Sequence, residues 1–338
     1  MGKTPIGNKT HQEVNFGKLL EPGLRKLFYE TFDEVPEQYS KVFKVHNSKK
    51  AREVDYGLGA MPVWSEFGTA IKNDLTGTAV TTGEMPSVNY VTIPAGLERV
   101  YVHKEFAQGF MVERKFVDDE QYNVINKMPK DLARAGRYKV ETDACSLLSG
   151  GFTNTGYDSK PLFSASHSLL SGGSCSNLVT GELNQENLQK AILLMKNIKD
   201  EAGKKVVFKA DTLVIPPALE FRAIELLNST NQPDGELNNI NSIKGKLKIV
   251  VLDFLTTDTE WYVMDSSRHE LNFFWRVRPE FKREEDFDTL VSKYRGYMRY
   301  SYGYSDWRGI VGSKGTSTYD LEPASIKEEV VQAKTKKK

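Results

Sequence analysis

Cysteine is nearly absent. Two residues, Cys145 and Cys175, stand in 338, too few for a disulfide framework and without metal-ligand spacing, a usage that suits a reducing compartment. The five histidines, at 11, 46, 103, 167 and 269, are too dispersed along the chain to suggest a metal cluster. Excess charge is missing too: 46 Lys and Arg face 45 Asp and Glu, whereas a dedicated nucleic-acid binder carries a basic surplus to neutralise phosphate. No apolar run approaches the ~18 residues of a membrane span. Met1-Gly2-Lys3-Thr4-Pro5-Ile6 has no signal-peptide core, and Ile6 stands where a myristoylation site wants Ser or Thr. The expectation is a soluble protein that is not exported. Phosphate-cradling glycine motifs, His-Glu-x-x-His and Gly-x-Ser-x-Gly are all missing, as is any internal repeat.

What remains is a folding sequence, 39% hydrophobic with 17 Phe, 15 Tyr and 4 Trp, long enough for one large domain or two ordinary ones. Residues 1–18 read as a polar arm. A short helix is expected from Glu21 to Phe32, with Pro22 as its first residue and Leu24, Leu27 and Phe28 as its stripe. Residues 33–62 lack periodicity and read as an extended segment in need of a surface. Around 63–105, strand-like Val88–Ile93 and Val100–Val102 flank a polar, Thr- and Gly-rich centre at 74–87, which predicts a long two-stranded excursion with a mobile tip. Such a ribbon is marginal alone and implies a docking partner.

A strand at Phe110–Val117 leads to Asp118-Asp119-Glu120, placed as a helix start, with that helix ending near Lys127. Pro129 then opens a longer helix whose Leu132, Gly136, Val140, Ala144 and Leu148 recur every four residues until Gly150-Gly151. Beyond the Gly- and Ser-rich 149–181 the texture turns compact. A helix runs from an Asn184 cap to about Ala202 with Gly203 as its stop, followed by strand 211–215, helix 219–227, a loop at 228–243, and strands 247–252 and 261–264. Two alternating segments close the folded part: Leu271, Phe273, Trp275 and Val277 share one face, as do Met298, Tyr300, Tyr302 and Tyr304. The tail from Gly315 ends in three lysines and reads as flexible.

Chemical candidates are few. His167 with Cys145 or Cys175 is the best catalytic pair, a thiol and an imidazole for acyl transfer, but no oxyanion site or orienting acid accompanies it. A loop histidine satisfying a hydrogen bond is the favoured reading. Asp118–Glu120 is a helix start before it is a carboxylate cluster. The 294–304 tyrosines are a packed sheet face before they are a base-stacking platform, and the terminal lysines a solvated tail before a DNA contact. No catalytic, cofactor or metal residue is therefore assigned.

Arm, ribbon, long amphipathic helix, compact α/β region and returning strand, in that order, resemble the HK97 fold of tailed-bacteriophage major capsid proteins, an α+β fold. Leu162-Phe163-Ser164 with His167 and Asn177-Leu178 is similar to the "LFS…H…NL" segment of the Mu-type major head subunit family. Gly203-Lys204 with Thr212-Leu213-Val214-Ile215-Pro216-Pro217-Ala218-Leu219 resembles its "GK…TLVVPPAL" run, and Asp306-Trp307-Arg308-Gly309 its terminal "DWRG". The resemblance spans roughly 105–312. It implies an N-arm at 1–57, an E-loop at 58–104, a P domain at 105–154 and 271–314 with a spine helix at about 129–149, an A domain at 155–270, and a flexible tail at 315–338. It further implies a virion protein, assembled in the bacterial host cytoplasm, that builds pentamers and hexamers into an icosahedral shell around double-stranded DNA. A separate scaffold, a portal and decoration proteins would be its partners, with no membrane and no cofactor. An encapsulin-like nanocompartment shell and a Cys/His hydrolase are the alternatives. Lys72 is available for the covalent cross-link some members make, but no matching Asn stands at 294–312, so none is expected.

Overall fold

The computed structural model describes residues 16–62, 97–119, 122–156, 158–233, 239–286 and 291–315. Its elements begin with α1 (Phe16–Glu34), β1 (Lys44–Asn47), β2 (Arg52–Tyr56), β3 (Glu98–Val102), β4 (Lys104–Glu113), α2 (Arg114–Asp118) and α3 (Tyr122–Ser149). They continue with β5 (His167–Ser168), β6 (Ser174–Cys175), β7 (Leu178–Val179), α4 (Gln185–Lys196), β8 (Thr212–Ile215) and α5 (Glu220–Asn228). Last come β9 (Lys248–Val251), β10 (Trp261–Met264), β11 (Leu271–Asp286), β12 (Val291–Tyr304) and β13 (Ile310–Ser313). The chain folds as two units, the first built from 1–37, 103–140 and 275–300, the second from the remainder.

In the first unit β12 lies between β11 and β4, pairing antiparallel with β4 from Val291↔Glu113 to Tyr300↔Lys104. Period two puts Tyr294 and Met298 on one face, and that face is buried. Leu24, Phe28 and Phe32 of α1 and Ile125 and Ala133 of α3 complete a core with Val112, Phe281 and Tyr294. Phe110 stacks on Tyr294 at 5.1 Å, so the tyrosine stripe here is a packed face. Arg137, only 4% exposed, donates Nε and Nη2 to the Phe32 carbonyl and lies 4.1 Å from the Phe32 ring. It thereby supplies a donor near the end of α1, where carbonyls lack helical partners.

The second unit holds a mixed sheet in the order β7-β13-β10-β8-β9. β10 runs antiparallel to β13 and β8, while β8 and β9 are parallel. All four residues of β8, β10 and β13 are buried, as strands covered on both faces must be. Leu188, Ala191 and Met195 of α4 and Ala223, Leu226 and Leu227 of α5 are the buried helical faces. β2 and β3 form a separate antiparallel pair, from Arg52↔Val102 to Tyr56↔Glu98.

Several expectations need correction. α1 starts at Phe16, with Pro22 inside it; proline's fixed φ is helical, but it removes one N–H and its ring crowds the carbonyl four residues back, a cost that packing offsets. The two helices expected around Pro129 are one, Tyr122–Ser149. Ile125, Pro129, Ala133, Val140, Ala144 and Leu148 are buried on both sides of the proline, and that shared stripe holds the helix through it. β4 covers Lys104–Glu113, Asp118 is the last residue of the short α2, and Asp119 lies between it and the start of α3 at Tyr122, with Glu120 outside the described residues. α4 keeps its Asn184 cap, which accepts the Asn187 N–H at 2.8 Å, but stops at Lys196. Gly203, at φ +81°, serves a turn instead, with Lys204 O accepting the Asp200 N–H at 2.7 Å. Residues 33–62 contain strands: β1 lies beside β11, and β2 is already half of a ribbon. Alternation in β12 ends at Tyr300; Ser301 and 303–313 are all buried. Gly303 permits this, because a Cβ there would sit 2.8 Å from the Tyr101 ring. The 74–87 centre, Val88–Ile93, Lys72 and the tail from 316 lie outside the described residues.

Arg137→Met keeps the aliphatic stem and removes the bonds to Phe32. It should lower unfolding free energy by about 1.5–3 kcal/mol, the worth of hydrogen bonds to a charged group, as measured by urea denaturation.

Candidate functional site

The β2–β3 pair has a hydrogen-bonded base within the second unit. Gly57 N–H donates to Leu97 O at 3.1 Å, closing the base just beyond the β2–β3 ladder. The Asp306 carboxylate accepts the Leu58 N–H at 2.7 Å, and Asp200 accepts the Met61 N–H at 2.9 Å. Lys204 Nζ then donates to Met61 O at 2.9 Å. Asp306 is held in turn by Arg308, through its N–H at 2.8 Å and Nη1 at 3.1 Å. The same guanidinium donates to Lys199 O and Glu201 Oε1, both at 2.8 Å. Arg308 and Asp306 are each 2% exposed; a charge so buried survives only when paired and hydrogen-bonded.

The inward face of the ribbon root is polar. Tyr101 Oη lies 2.6 Å from Ser305 Oγ, which donates to Asp55 Oδ2 at 2.5 Å. Asn272 Nδ2 donates to Ser305 at 3.0 Å, and its Oδ1 lies 3.3 Å from His46 Nε2. Burial pushes the Tyr101 hydroxyl up to about 12, against the lowering bonds from Ser305 and Asn272, so it remains a donor.

At the other end of the root, the fully buried Glu141 of α3 accepts the N–H groups of Gln38 at 3.0 Å and Tyr39 at 2.9 Å, one on each oxygen. Gln38 and Asp253 add a reciprocal pair, with Nε2 to Oδ2 at 2.5 Å and the Asp253 N–H to Oε1 at 2.9 Å.

His167 is buried and fully engaged. Nδ1 lies 2.6 Å from Asp158 Oδ2 and Nε2 3.2 Å from Asn177 Oδ1, while the ring stacks on Trp307 at 4.1 Å. Asn177 Nδ2 donates to the Leu162, Trp307 and Ile310 carbonyls, which directs its oxygen at the imidazole. Burial alone would raise the Asp158 carboxyl, but the hydrogen bond and charge of His167 hold it below its usual range. Cys175 stands opposite His167 in the β5–β6 ladder, yet both ring nitrogens already have partners. Burial, with Glu141 and Glu260 nearby, pushes the Cys145 thiol up to about 12, far from thiolate chemistry. The expected hydrogen-bonding role for His167 describes this geometry; the hydrolase arrangement does not. His269 is also buried, and burial followed by the Lys44 charge brings its imidazole down to about 4. Among the described residues no group of three or more His, Cys, Asp or Glu could hold a metal ion, and no helix is long and apolar enough to cross a membrane.

The family model for phage capsid protein matches residues 96–313. The chain belongs to that family. It is 40% identical over 77 residues to the major capsid protein of Escherichia phage Mu, a match spanning 23% of this chain and 25% of that protein. It is 22% identical over 321 residues to the Mu-like prophage FluMu major head subunit of Haemophilus influenzae, covering 72% of this chain and 96% of that one. A solved capsid of bacteriophage JBD30, decorated with minor capsid protein trimers, superposes with a TM-score of 0.50 at 16% identity, covering 66% of this chain and 92% of that one. The fold is thus the α+β, HK97-like capsid fold expected from the sequence, and family membership implies a structural role. The "DWRG" run now has a physical meaning: Asp306 and Arg308 hold the ribbon root, Trp307 carries His167, and Gly309 takes φ +86° where His269 crowds it. Sequence reasoning assigned none of these roles. Their one signal was a charged pair beside an aromatic run.

Arg308→Ala should cost about 3–5 kcal/mol, because Asp306 and Glu201 lose their buried countercharge; chemical denaturation measures it. Burial raises the Glu260 carboxyl although the Ser149 hydroxyl donates to it. A raised folded pKa means stability falls as pH climbs past the unfolded value, with the full penalty above the folded one. Glu260→Gln should therefore raise Tm at pH 7 more than at pH 4, by about 2–4 °C per kcal/mol relieved, in thermal scans across that range.

Proposed function

We propose that this chain is the major head subunit of a tailed phage, and that its copies form the pentamers and hexamers of an icosahedral shell around double-stranded DNA. The observation that carries the reading is the capsid-family match across 96–313. In this reading 1–57 is the N-arm and 58–104 the E-loop. Residues 105–154 and 271–314 form the P domain, 155–270 the A domain, and 315–338 a flexible tail.

Such shells close by cyclic contacts between different patches of identical subunits, and obligate contacts of this kind bury ~2,000 Å² or more. The Asp306, Asp200 and Glu141 anchors support the assignment, since an excursion that grips a neighbour transmits force only from a fixed base. A near-neutral net charge of +1 suits a wall that encloses a genome without clamping it. A separate scaffold, a portal and decoration proteins complete the particle, and the host cytoplasm is where it is built. No step of the function uses catalysis. The named relatives are phage head proteins, which favours a genome shell over an enzyme-loaded compartment.

Expression of the chain alone and with its scaffold, followed by negative-stain microscopy and light scattering, tests this. Closed polyhedra, tubes or hexameric rings are expected. A monomer under every condition would overturn it.

A further inference from the structure

His167 is 1% exposed, and both of its ring nitrogens face acceptors. On the Nε2 side stands Asn177 Oδ1, at 3.2 Å. The two ends of an amide are told apart by their partners, and here the backbone leaves one choice. Asn177 Nδ2 meets the carbonyls of Leu162, Trp307 and Ile310, which cannot donate. Its Oδ1 receives the Ser164 N–H at 2.9 Å, which cannot accept. The oxygen therefore faces the imidazole, and the bond needs a proton on Nε2.

On the Nδ1 side Asp158 Oδ2 lies 2.6 Å away. A carboxylic acid is stronger than an imidazolium by about 2.5 pK units in water, so the proton between them belongs to the nitrogen. The ring also lies parallel to Trp307, at 4.1 Å and 5°, where an indole face attracts a cation. Arg308 stands over the same indole at 4.5 Å, but Asp306 and Glu201 already answer its charge. Cys175 is opposite His167 in the β5–β6 ladder, and Lys160 follows Asp158 in its turn. Burial and then the Asp158 charge push the Tyr304 hydroxyl up to about 12, so it stays neutral.

We propose that His167 is a buried imidazolium whose second proton fastens the turn at 158–161 to the β5–β6 hairpin, and that alkali opens this catch. Four backbone groups lock Asn177, so the Nε2 bond cannot relax. Asp158 is the side that yields. Its side chain is 16% exposed, and its Oδ1 accepts the Lys160 N–H at 3.1 Å within the turn. When the ring keeps one proton, at Nε2, the Nδ1 lone pair opposes the carboxylate and the turn is released. The stabilisation is therefore present while the ring is charged and is lost as pH rises through its titration. At the acid end, burial would raise the Asp158 carboxyl but the bond and charge of His167 hold it below its usual range. Protonating it as pH falls opens the catch from the other side. The catch works within one subunit and does not depend on the shell.

Nitrogen-15 NMR of the full chain labelled at histidine reads the charge directly, with His167→Gln assigning the signals. At about pH 7 both His167 ring nitrogens should be protonated, and one bare nitrogen overturns the proposal. Urea denaturation of wild type, Asp158→Asn, His167→Gln and the double variant then isolates the coupling of the pair, because effects of alkali elsewhere in the chain cancel. The coupling should raise the folding constant at least about 10-fold at about pH 7 and less than about 2-fold at about pH 10. A coupling that stays level across that range overturns the catch. If His167→Gln does not fold, Asp158→Asn assigns the ring signals instead. There His167 should lose its second proton at lower pH than in wild type, and an unchanged titration overturns the proposal.

Discussion

A buried guanidinium organises the second unit. Arg308 can sit at 2% exposure only because Asp306, Glu201 and the Lys199 carbonyl surround it. Each of those partners is fixed by what it does next. Asp306 reaches the first residue after the ribbon base, Leu58. Glu201 also accepts the Leu170 N–H, so the hairpin region that carries His167 is tied to the same charge. Removing the cation would leave two carboxylates without compensation, which is why a polar cluster at this depth behaves as a single fixed body.

The same logic recurs at Glu141. The start of the Tyr39–Lys41 3-10 turn carries backbone donors with no helical partner, and a buried donor without a partner costs free energy. Glu141 answers two of them at once, at Gln38 and Tyr39. Carboxylates thus satisfy donors at the start of the Tyr39–Lys41 3-10 turn and along 57–61, where no ladder does.

Carboxylates buried in this way have divergent environments. Asp158 lies below the usual range because His167 answers it, whereas burial leaves Glu260 above it. The first is a strut, and the second costs stability at neutral pH. Glu260 lies near the Cys145 thiol, but burial pushes that thiol up to about 12, far from thiolate chemistry. The polar interior reads throughout as fastening.

Much of the architecture was legible in the residues. Period-two patterning at 271–277, the Asn184 cap and the strands at 211–215 and 261–264 follow from local physics, since each pattern suits one backbone geometry, whereas the alternation read at 298–304 holds only as far as Tyr300. The ordered runs at 162–178, 203–219 and 306–309 carried the resemblance to the family. Tertiary structure decided the rest. Pro22 and Pro129 looked like boundaries, yet the proline penalty is local while the burial that offsets it comes from distant residues such as Phe281 and Tyr294. Gly203 looked like a helix stop and became a turn through the Asp200–Lys204 pairing. The roles of Asp306, Arg308 and Glu141 were invisible because the partners that give them, Leu58, Glu201 and Gln38, lie more than 100 positions away, and no local pattern records which group will meet them in the core.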